Sequence, residues 1–236
     1  MTYDPKVVRP DYSSETGLQA RRNAYRHAEG PNAPEMVFEA VAEVQPSRFL
    51  EVGCGPGELA ARVQDDLGAQ VVAVDSSERM VELARGRGVD ARLGDVQELP
   101  FADGEFDCVV AAWMLYHVPD VARALGELAR VLLPGGRLIA VTNGIDHLRE
   151  LREFLGLPGE RLTTFNSENG EELLRAHFEG VESRDAGGTV TFPDRDAVLA
   201  YVVPSAPLFE AVGEVPELEG SLVVRRRPMI FVAEKA

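Results

Sequence analysis

Cysteine is nearly missing from this sequence: Cys54 and Cys108 are the only two in 236 residues. That excludes a disulfide framework and a cysteine-rich zinc site. Long apolar runs are missing as well. No stretch reaches the ~18 uncharged apolar residues that a membrane-spanning helix needs. Met1-Thr2-Tyr3-Asp4-Pro5 opens without the apolar core of a secretory leader. A cytoplasmic protein with no membrane partner is the expectation. Positive charge is scarce too, with 24 Lys and Arg against 39 Asp and Glu and a net charge of −15. Nucleic-acid binding through phosphate neutralisation needs the opposite balance, so a nucleic acid is disfavoured as a partner, although Arg225-Arg226-Arg227 forms a local basic cluster. Repeats and low-complexity tracts are absent. The acidic residues show no metal-ligand spacing, and no metal is expected.

What is present is a regular alternation. Arg48–Val52 reads as a short apolar strand running into glycines, and Glu58–Leu67 as a helix with Leu59, Ala60, Val63 and Leu67 on one face. Gln70–Val74 is a second strand ending at Asp75, after which Ser76 or Ser77 can cap a helix over Glu78–Arg85. Asp90–Leu93 and Phe106–Ala111 are further strands. Asp120 opens a helix through Leu132, Pro134-Gly135-Gly136 reads as a stop, and Arg137–Thr142 is a fifth strand. Short strand–helix connections of this kind predict an α/β fold, a Rossmann-like, mostly parallel sheet with helices on both faces. Beyond Asn143 the pattern loosens. Helices are expected over Asp146–Leu155, Gly170–Phe178 and Asp194–Val202, and strands near Val181–Asp185 and Thr189–Phe192. Two extended runs, Ser221–Val224 and Arg227–Ala233, close the chain, the last read as an antiparallel strand returning to the sheet. The organisation expected is an N-terminal helical lid over 1–45 and a main domain over 46–236, with substrate-pocket insertions in 143–220.

Glu51-Val52-Gly53-Cys54-Gly55-Pro56-Gly57 sits where the first strand meets the first helix. In open α/β sheets ligands bind there, beyond the carboxyl ends of the strands. A dinucleotide fingerprint spaces its glycines G-x-G-x-x-G and lays a pyrophosphate on the helix N-terminus. Here the order is G-x-G-x-G, and Glu58 in the first helical turn would repel a pyrophosphate. A ligand with little negative charge fits better, although such a turn also serves merely to pack a helix on a strand. Asp75, 22 residues after Gly53, is placed to accept both hydroxyls of a ribose, or to cap the helix that follows. Asp95 in Leu93-Gly94-Asp95-Val96 is suited to accept from an adenine amino group, with Val96 or Leu99 packing on the ring.

Phe49-Leu50-Glu51-Val52-Gly53-Cys54-Gly55-Pro56-Gly57, Val74-Asp75-Ser76-Ser77, Gly94-Asp95-Val96-Gln97-Glu98-Leu99-Pro100-Phe101, Phe106-Asp107-Cys108-Val109-Val110 and Leu132-Leu133-Pro134-Gly135-Gly136 together resemble the ordered motifs of class I S-adenosylmethionine-dependent methyltransferases, closest to the UbiE/BioC-like small-molecule group. The resemblance covers about residues 46–142. It implies a seven-stranded sheet with an antiparallel final hairpin and S-adenosyl-L-methionine as cofactor. It assigns Gly53, Cys54, Gly55 and Gly57 to the methionine end, Asp75 with Ser76 to the ribose, and Asp95 with Val96 to the adenine. Ala112, after strand four, would line the methionine arm.

The implied reaction is methyl transfer to a small-molecule acceptor. A sulfonium methyl is already activated, so alignment and exclusion of water are the main tasks. A general base helps only a poorly acidic acceptor such as a hydroxyl. His117, in Trp113-Met114-Leu115-Tyr116-His117, is the candidate, with packing between helix and loop as the alternative. Oxygen is therefore the weakly preferred acceptor atom. His147 is a weaker base candidate. Trp113 and Tyr116 either wall the pocket or fill the core; Tyr12, Tyr25 and His27 either contribute lid contacts or pack. Cys54 and Cys108 read as small buried residues. Leu148, Leu151, Phe154, Leu155, Phe165, Tyr201 and Phe209 supply either an acceptor cavity or a satellite core, and Arg21, Arg22 and Arg26 either an anion contact or a solvated helix face. Two other readings share much of the pattern: a tRNA- or RNA-modifying methyltransferase, and a non-catalytic protein that keeps the cofactor site. A nicotinamide-dependent oxidoreductase is disfavoured by the loop spacing. The acceptor and the oligomeric state are not legible.

Overall fold

Apolar residues occupy both faces of the central strands, which dictates a sheet covered by helices on each side. The computed structural model of the chain describes residues 25, 28–203 and 214–236. Along it run β1 (Ala28–Glu29), α1 (Ala33–Val44), β2 (Arg48–Val52), α2 (Glu58–Leu67), β3 (Gln70–Asp75), α3 (Glu78–Gly86), β4 (Asp90–Leu93) and β5 (Phe106–Ala112). A 3₁₀ turn (Leu115–His117) leads to α4 (Val121–Val131), β6 (Leu132–Asn143), α5 (Arg149–Phe154) and α6 (Gly170–Arg175). Then come β7 (Gly180–Asp185), β8 (Gly188–Phe192), α7 (Arg195–Val202), β9 (Leu222–Arg226) and β10 (Pro228–Glu234). None of the described helices is long and apolar enough to cross a membrane.

Seven strands form one sheet in the order β4-β3-β2-β5-β6-β10-β7. Pairings among β2, β3, β4, β5 and β6 are parallel, and β10 runs antiparallel to both β6 and β7. This is the Rossmann-like α/β architecture expected. Alternate side chains divide between two layers. Leu50, Val74, Val109, Leu138 and Phe231 pack with Leu125 and Leu128 of α4 and Leu174 of α6. Phe49, Ala73, Val110, Ile139 and Ile230 pack with Val41 of α1, Val63 of α2 and Ala84 of α3. Each fully buried Leu or Phe contributes about 1.5–3 kcal/mol from burial alone. The helix stripes are therefore what clamp the sheet.

Several boundaries differ from expectation, for physical reasons. Pro134-Gly135-Gly136 does not interrupt the chain before Arg137; β6 begins at Leu132, directly after α4. Lys235, beyond the end of β10, holds that segment in the sheet, accepting from the Gly135 N–H (2.9 Å) and donating to the Gly136 carbonyl (3.0 Å). The two C-terminal runs do not form a hairpin inside the large sheet. Only β10 enters it, while β9 joins β8 and β1 in a separate antiparallel sheet of three strands. β9 is drawn away by α5 and its approach: Leu148 N–H donates to the Arg225 carbonyl (3.0 Å), and Arg225 N–H to Glu150 (3.0 Å). α5 starts at Arg149 rather than Asp146 because Leu148 takes a left-handed conformation (φ 58°). A third apolar cluster, including Leu151, Leu155, Phe192, Val198, Tyr201 and Val224, lies between the small sheet and α5 and α7.

Candidate cofactor and acceptor site

At the carboxyl end of a parallel strand, backbone N–H groups lose their ladder partners and must find others. Beyond β2, Gly53, Gly55 and Gly57 all take positive φ (70°, 53° and 77°). The N–H groups of Gly53 and Cys54 both donate to the Val74 carbonyl (2.8 and 3.1 Å), tying the loop to β3. Gly57 caps α2, and a Cβ there would lie 2.6 Å from Ala84 Cβ. A Cβ on Gly53 would lie 2.7 Å from Met114 Cβ, which brings the loop after β5 against the glycine loop. At Gly55 a Cβ would meet nothing within 4 Å, so the middle of the loop faces open space.

β3 delivers Asp75 to this loop. Its Oδ2 accepts from Gly55 N–H (2.9 Å) and its Oδ1 from Ser77 N–H (2.8 Å). Burial raises its pKa above the ordinary carboxylate value, opposed by the N–H donors of Ser77, Gly55 and Ser76. Ser77 is the residue that caps α3, its Oγ accepting from Met80 N–H at 3.4 Å; Ser76 is exposed. The Gly94 N–H donates to the Asp75 carbonyl (3.0 Å), setting the turn that carries Asp95 beside Asp75. Asp95 is exposed, and its Oδ1 accepts from Gln97 N–H (2.9 Å). Val96 and Leu99 are buried in the first core layer, so neither presents a free apolar face.

Glu51 was not among the residues assigned from sequence, and the structure adds it. Its Oε2 accepts from Ala60 N–H of α2 (2.9 Å). Burial pushes its carboxyl up to about 8, and the charges of Asp75 and Glu58 add to the rise. A carboxylate inside the apolar run Phe49-Leu50-Glu51-Val52 was the signal that could have found it. The Cys54 thiol is pushed far up by burial and by the charges of Glu51 and Asp75, and that of Cys108 by burial and Asp107. Neither is a nucleophile.

On the acceptor side, β5 ends at Ala112 and Trp113 turns the chain with φ 53°, its N–H donating to the Val141 carbonyl (2.9 Å). Trp113 packs on the second core layer. His117 closes the 3₁₀ turn, its N–H donating to the Met114 carbonyl (2.9 Å) and its ring meeting Tyr116 edge-on with centroids 4.4 Å apart. A stretch with no sequence signal crosses this edge. Thr164 Oγ1 donates to the Val118 carbonyl (3.3 Å), Thr142 Oγ1 to that of Phe165 (3.0 Å), and Ser167 N–H to that of Asn143 (3.2 Å). Residues 161–167 therefore lie against the end of β6 and against Val118, just past the 3₁₀ turn.

The remaining candidates sit elsewhere. His147 Nδ1 accepts from Arg227 N–H (2.9 Å), and burial with the charges of Arg226 and Arg227 brings it down to about 3, so it holds backbone rather than moving protons. Tyr25 packs on the third cluster, edge-on to Tyr201 at 6.3 Å. The Arg225-Arg226-Arg227 cluster is engaged within the protein. Arg225 pairs with Glu150 and Arg227 with Asp146, while buried Arg226 donates to the carbonyls of Glu29 (2.9 Å) and Thr189 (3.2 Å). Phe165 is core and Leu148, Leu151, Leu155 and Tyr201 fill the third cluster, with Phe154 packed against it. Tyr12, Arg21, Arg22, Arg26, His27 and Phe209 lie outside the described residues.

Residues 50–140 match a family model described as a methyltransferase domain. The chain is 41% identical over 106 residues to a demethylmenaquinone methyltransferase of Thermus thermophilus, a match covering 42% of this chain and 48% of that one. It is 41% identical over 99 residues to a 27-O-demethylrifamycin SV methyltransferase of Amycolatopsis mediterranei, covering 39% and 36%. The chain thus spans about half the length, or less, of these two relatives. A solved structure from Thermotoga maritima, described as an S-adenosylmethionine-dependent methyltransferase and possible histamine N-methyltransferase, shares the fold with TM-score 0.62 at 24% identity, over 96% of this chain and 98% of that one.

Proposed function

We propose, on the premise that residues 50–140 are a class I S-adenosylmethionine-dependent methyltransferase domain, that the chain binds S-adenosylmethionine and transfers its methyl group to a small-molecule acceptor. One observation carries the reading. The ends of three adjacent strands bring the Gly53–Gly57 loop, Asp75 and the Asp95 turn together, joined by the Gly55 N–H on the Asp75 carboxylate and the Gly94 N–H on the Asp75 carbonyl.

The residues fit that cofactor chemically. The Asp75 carboxylate takes backbone N–H donors from Gly55, Ser77 and Ser76, and with about four lone-pair sites in all it keeps room for a ribose hydroxyl. Gly53, Cys54, Gly55 and Gly57, with Ala112 opposite, wall the methionine end; exposed Asp95 takes the adenine amino group, with Val96 beside it and Ser76 next to the ribose. The Asp75 and Glu58 carboxylates favour a ligand carrying sulfonium and ammonium charges over a pyrophosphate. When bound, the cofactor supplies an already activated methyl. This chain's own residues then hold the acceptor in line and keep water out. We assign that cover to insertions within 143–220, supported by residues 161–167 lying against the end of β6 and against Val118. His117 receives the proton of a hydroxyl acceptor, with its ring set by the 3₁₀ turn and by Tyr116, and the preference for oxygen rests on it.

Calorimetry with S-adenosylhomocysteine and with NADH tests the cofactor: the first binds and the second does not, and the reverse sinks the reading. Labelled methyl transfer to a panel of small acceptors tests catalysis; no transfer to any member returns the chain to a binding role. Labelling confined to bulk tRNA would overturn the acceptor class. With a hydroxyl acceptor, His117→Ala lowers turnover by about 10²–10⁴-fold while S-adenosylhomocysteine affinity is retained. A loss below about tenfold reduces His117 to packing and removes the preference for oxygen.

A further inference from the structure

In a chain of net charge −15, an arginine with no carboxylate partner stands out. The carboxylates that flank α5 are mostly taken: Asp146 by Arg227, Glu150 by Arg225, Glu160 by Arg149. Glu153 is turned against Gly159, where a Cβ would meet its Oε1. Among the described residues Arg152 and Arg161 make no ion pair. Arg152 donates only its Nε, to the Pro158 carbonyl (2.7 Å), leaving both terminal nitrogens of its guanidinium without an acceptor among the described residues. The Arg161 side chain is exposed and has no hydrogen-bond partner among the described residues. The two are close enough to feel each other, since burial and the Arg161 charge together hold Arg152 below the usual guanidinium pKa.

Their place in the fold matters more. Arg161 N–H donates to the Ile145 carbonyl (2.7 Å), just past the end of β6. Three residues later Thr164 bonds the Val118 carbonyl, adjacent to His117. We propose that Arg152 and Arg161 form an anion seat beside the acceptor position, and that the methyl acceptor carries a carboxylate or a phosphate group. This rests on the methyltransferase reading and names its acceptor class. Planar guanidinium forks match either group with paired hydrogen bonds.

The test is calorimetry on the full chain saturated with S-adenosylhomocysteine, titrated with inorganic phosphate and separately with benzoate. Saturable binding of either anion is expected, weakened roughly tenfold or more in Arg152→Gln/Arg161→Gln, as hydrogen bonds to charged groups imply. The tighter of the two names the group. Arg161→Gln alone breaks no hydrogen bond or ion pair among the described residues, so it keeps the test decisive if the double variant fails to fold; it weakens binding by about threefold, the scale of an exposed ion pair. No saturable binding of either anion, or binding unchanged in the variants, overturns the seat. S-adenosylhomocysteine affinity is unchanged throughout. If that ligand itself fails to bind, the methyltransferase reading falls, and the same titrations on the chain alone still decide the seat.

Discussion

Residues 48–143 and residues 144–234 are held together by contacts of different reach. In the first region the site is built from neighbours: Asp75 takes the N–H of Ser77 two residues on and of Gly55 twenty residues back, and Glu51 takes that of Ala60 nine residues on. In the second, Arg225 reaches Glu150 across 75 residues and Arg226 reaches Glu29 across 197. The cofactor side is thus set by turns that each strand makes into its own helix. The second region is set by distant segments meeting, and it is the less regular part of the chain. A local turn motif tolerates any cover laid over it, so one cofactor frame can carry different acceptor chambers.

The largest effect is expected from breaking the cofactor frame itself. Gly57→Ala forces a left-handed alanine into Ala84, a cost of about 2–5 kcal/mol from strain and overpacking together. Gly55→Ala carries the strain without the clash, about 1–2 kcal/mol. Urea denaturation followed by the single tryptophan separates the two, and equal losses would show that the Gly57–Ala84 contact is not tight.

Next comes the small sheet. Arg226→Met strips the Glu29 and Thr189 carbonyls of a buried charged donor, at about 2–3 kcal/mol. Hydrogen exchange quickens in β1 and β8 while S-adenosylhomocysteine affinity holds. Were that affinity to fall in step, the two regions would not be separable.

Asp75→Ala is smaller in energy and confined to the cofactor side. It raises the S-adenosylhomocysteine dissociation constant roughly tenfold or more, in line with the loss of a charged hydrogen bond. Unchanged affinity in calorimetry removes Asp75 from the ribose.

The subtlest expectation concerns pH. The Glu51 carboxyl titrates at about 8 in the fold and near the ordinary value of about 4.3 when unfolded. Its contribution is full below the unfolded value, and it is lost as pH rises through the folded one. Urea midpoints therefore decline from pH 5 to beyond pH 8, and Glu51→Gln flattens that decline. A slope that survives the substitution would place the proton elsewhere.

The strands and helices from Arg48 to Ala112, the glycine loop, and Asp75 with Asp95 were legible from sequence, because short apolar runs, helical periodicity and glycines at strand ends are dictated by adjacent residues. Ser76 and Ser77 were equivalent as caps on paper, and the backbone geometry at Met80 chose Ser77. Pro134-Gly135-Gly136 read as a break by its composition, and Lys235, a hundred residues away, made it strand. The same distance hid the small sheet of β1, β8 and β9, since no local pattern tells a strand which sheet it will join. It also hid the placing of Thr164 beside Val118 and the opposite fates of Arg152 and Arg226. By itself the sequence determined a parallel sheet with a ligand edge and the acids along it. Only the tertiary structure decided what covers that edge, because hydrogen bonds and ion pairs between distant segments depend on where the folded sheet brings them.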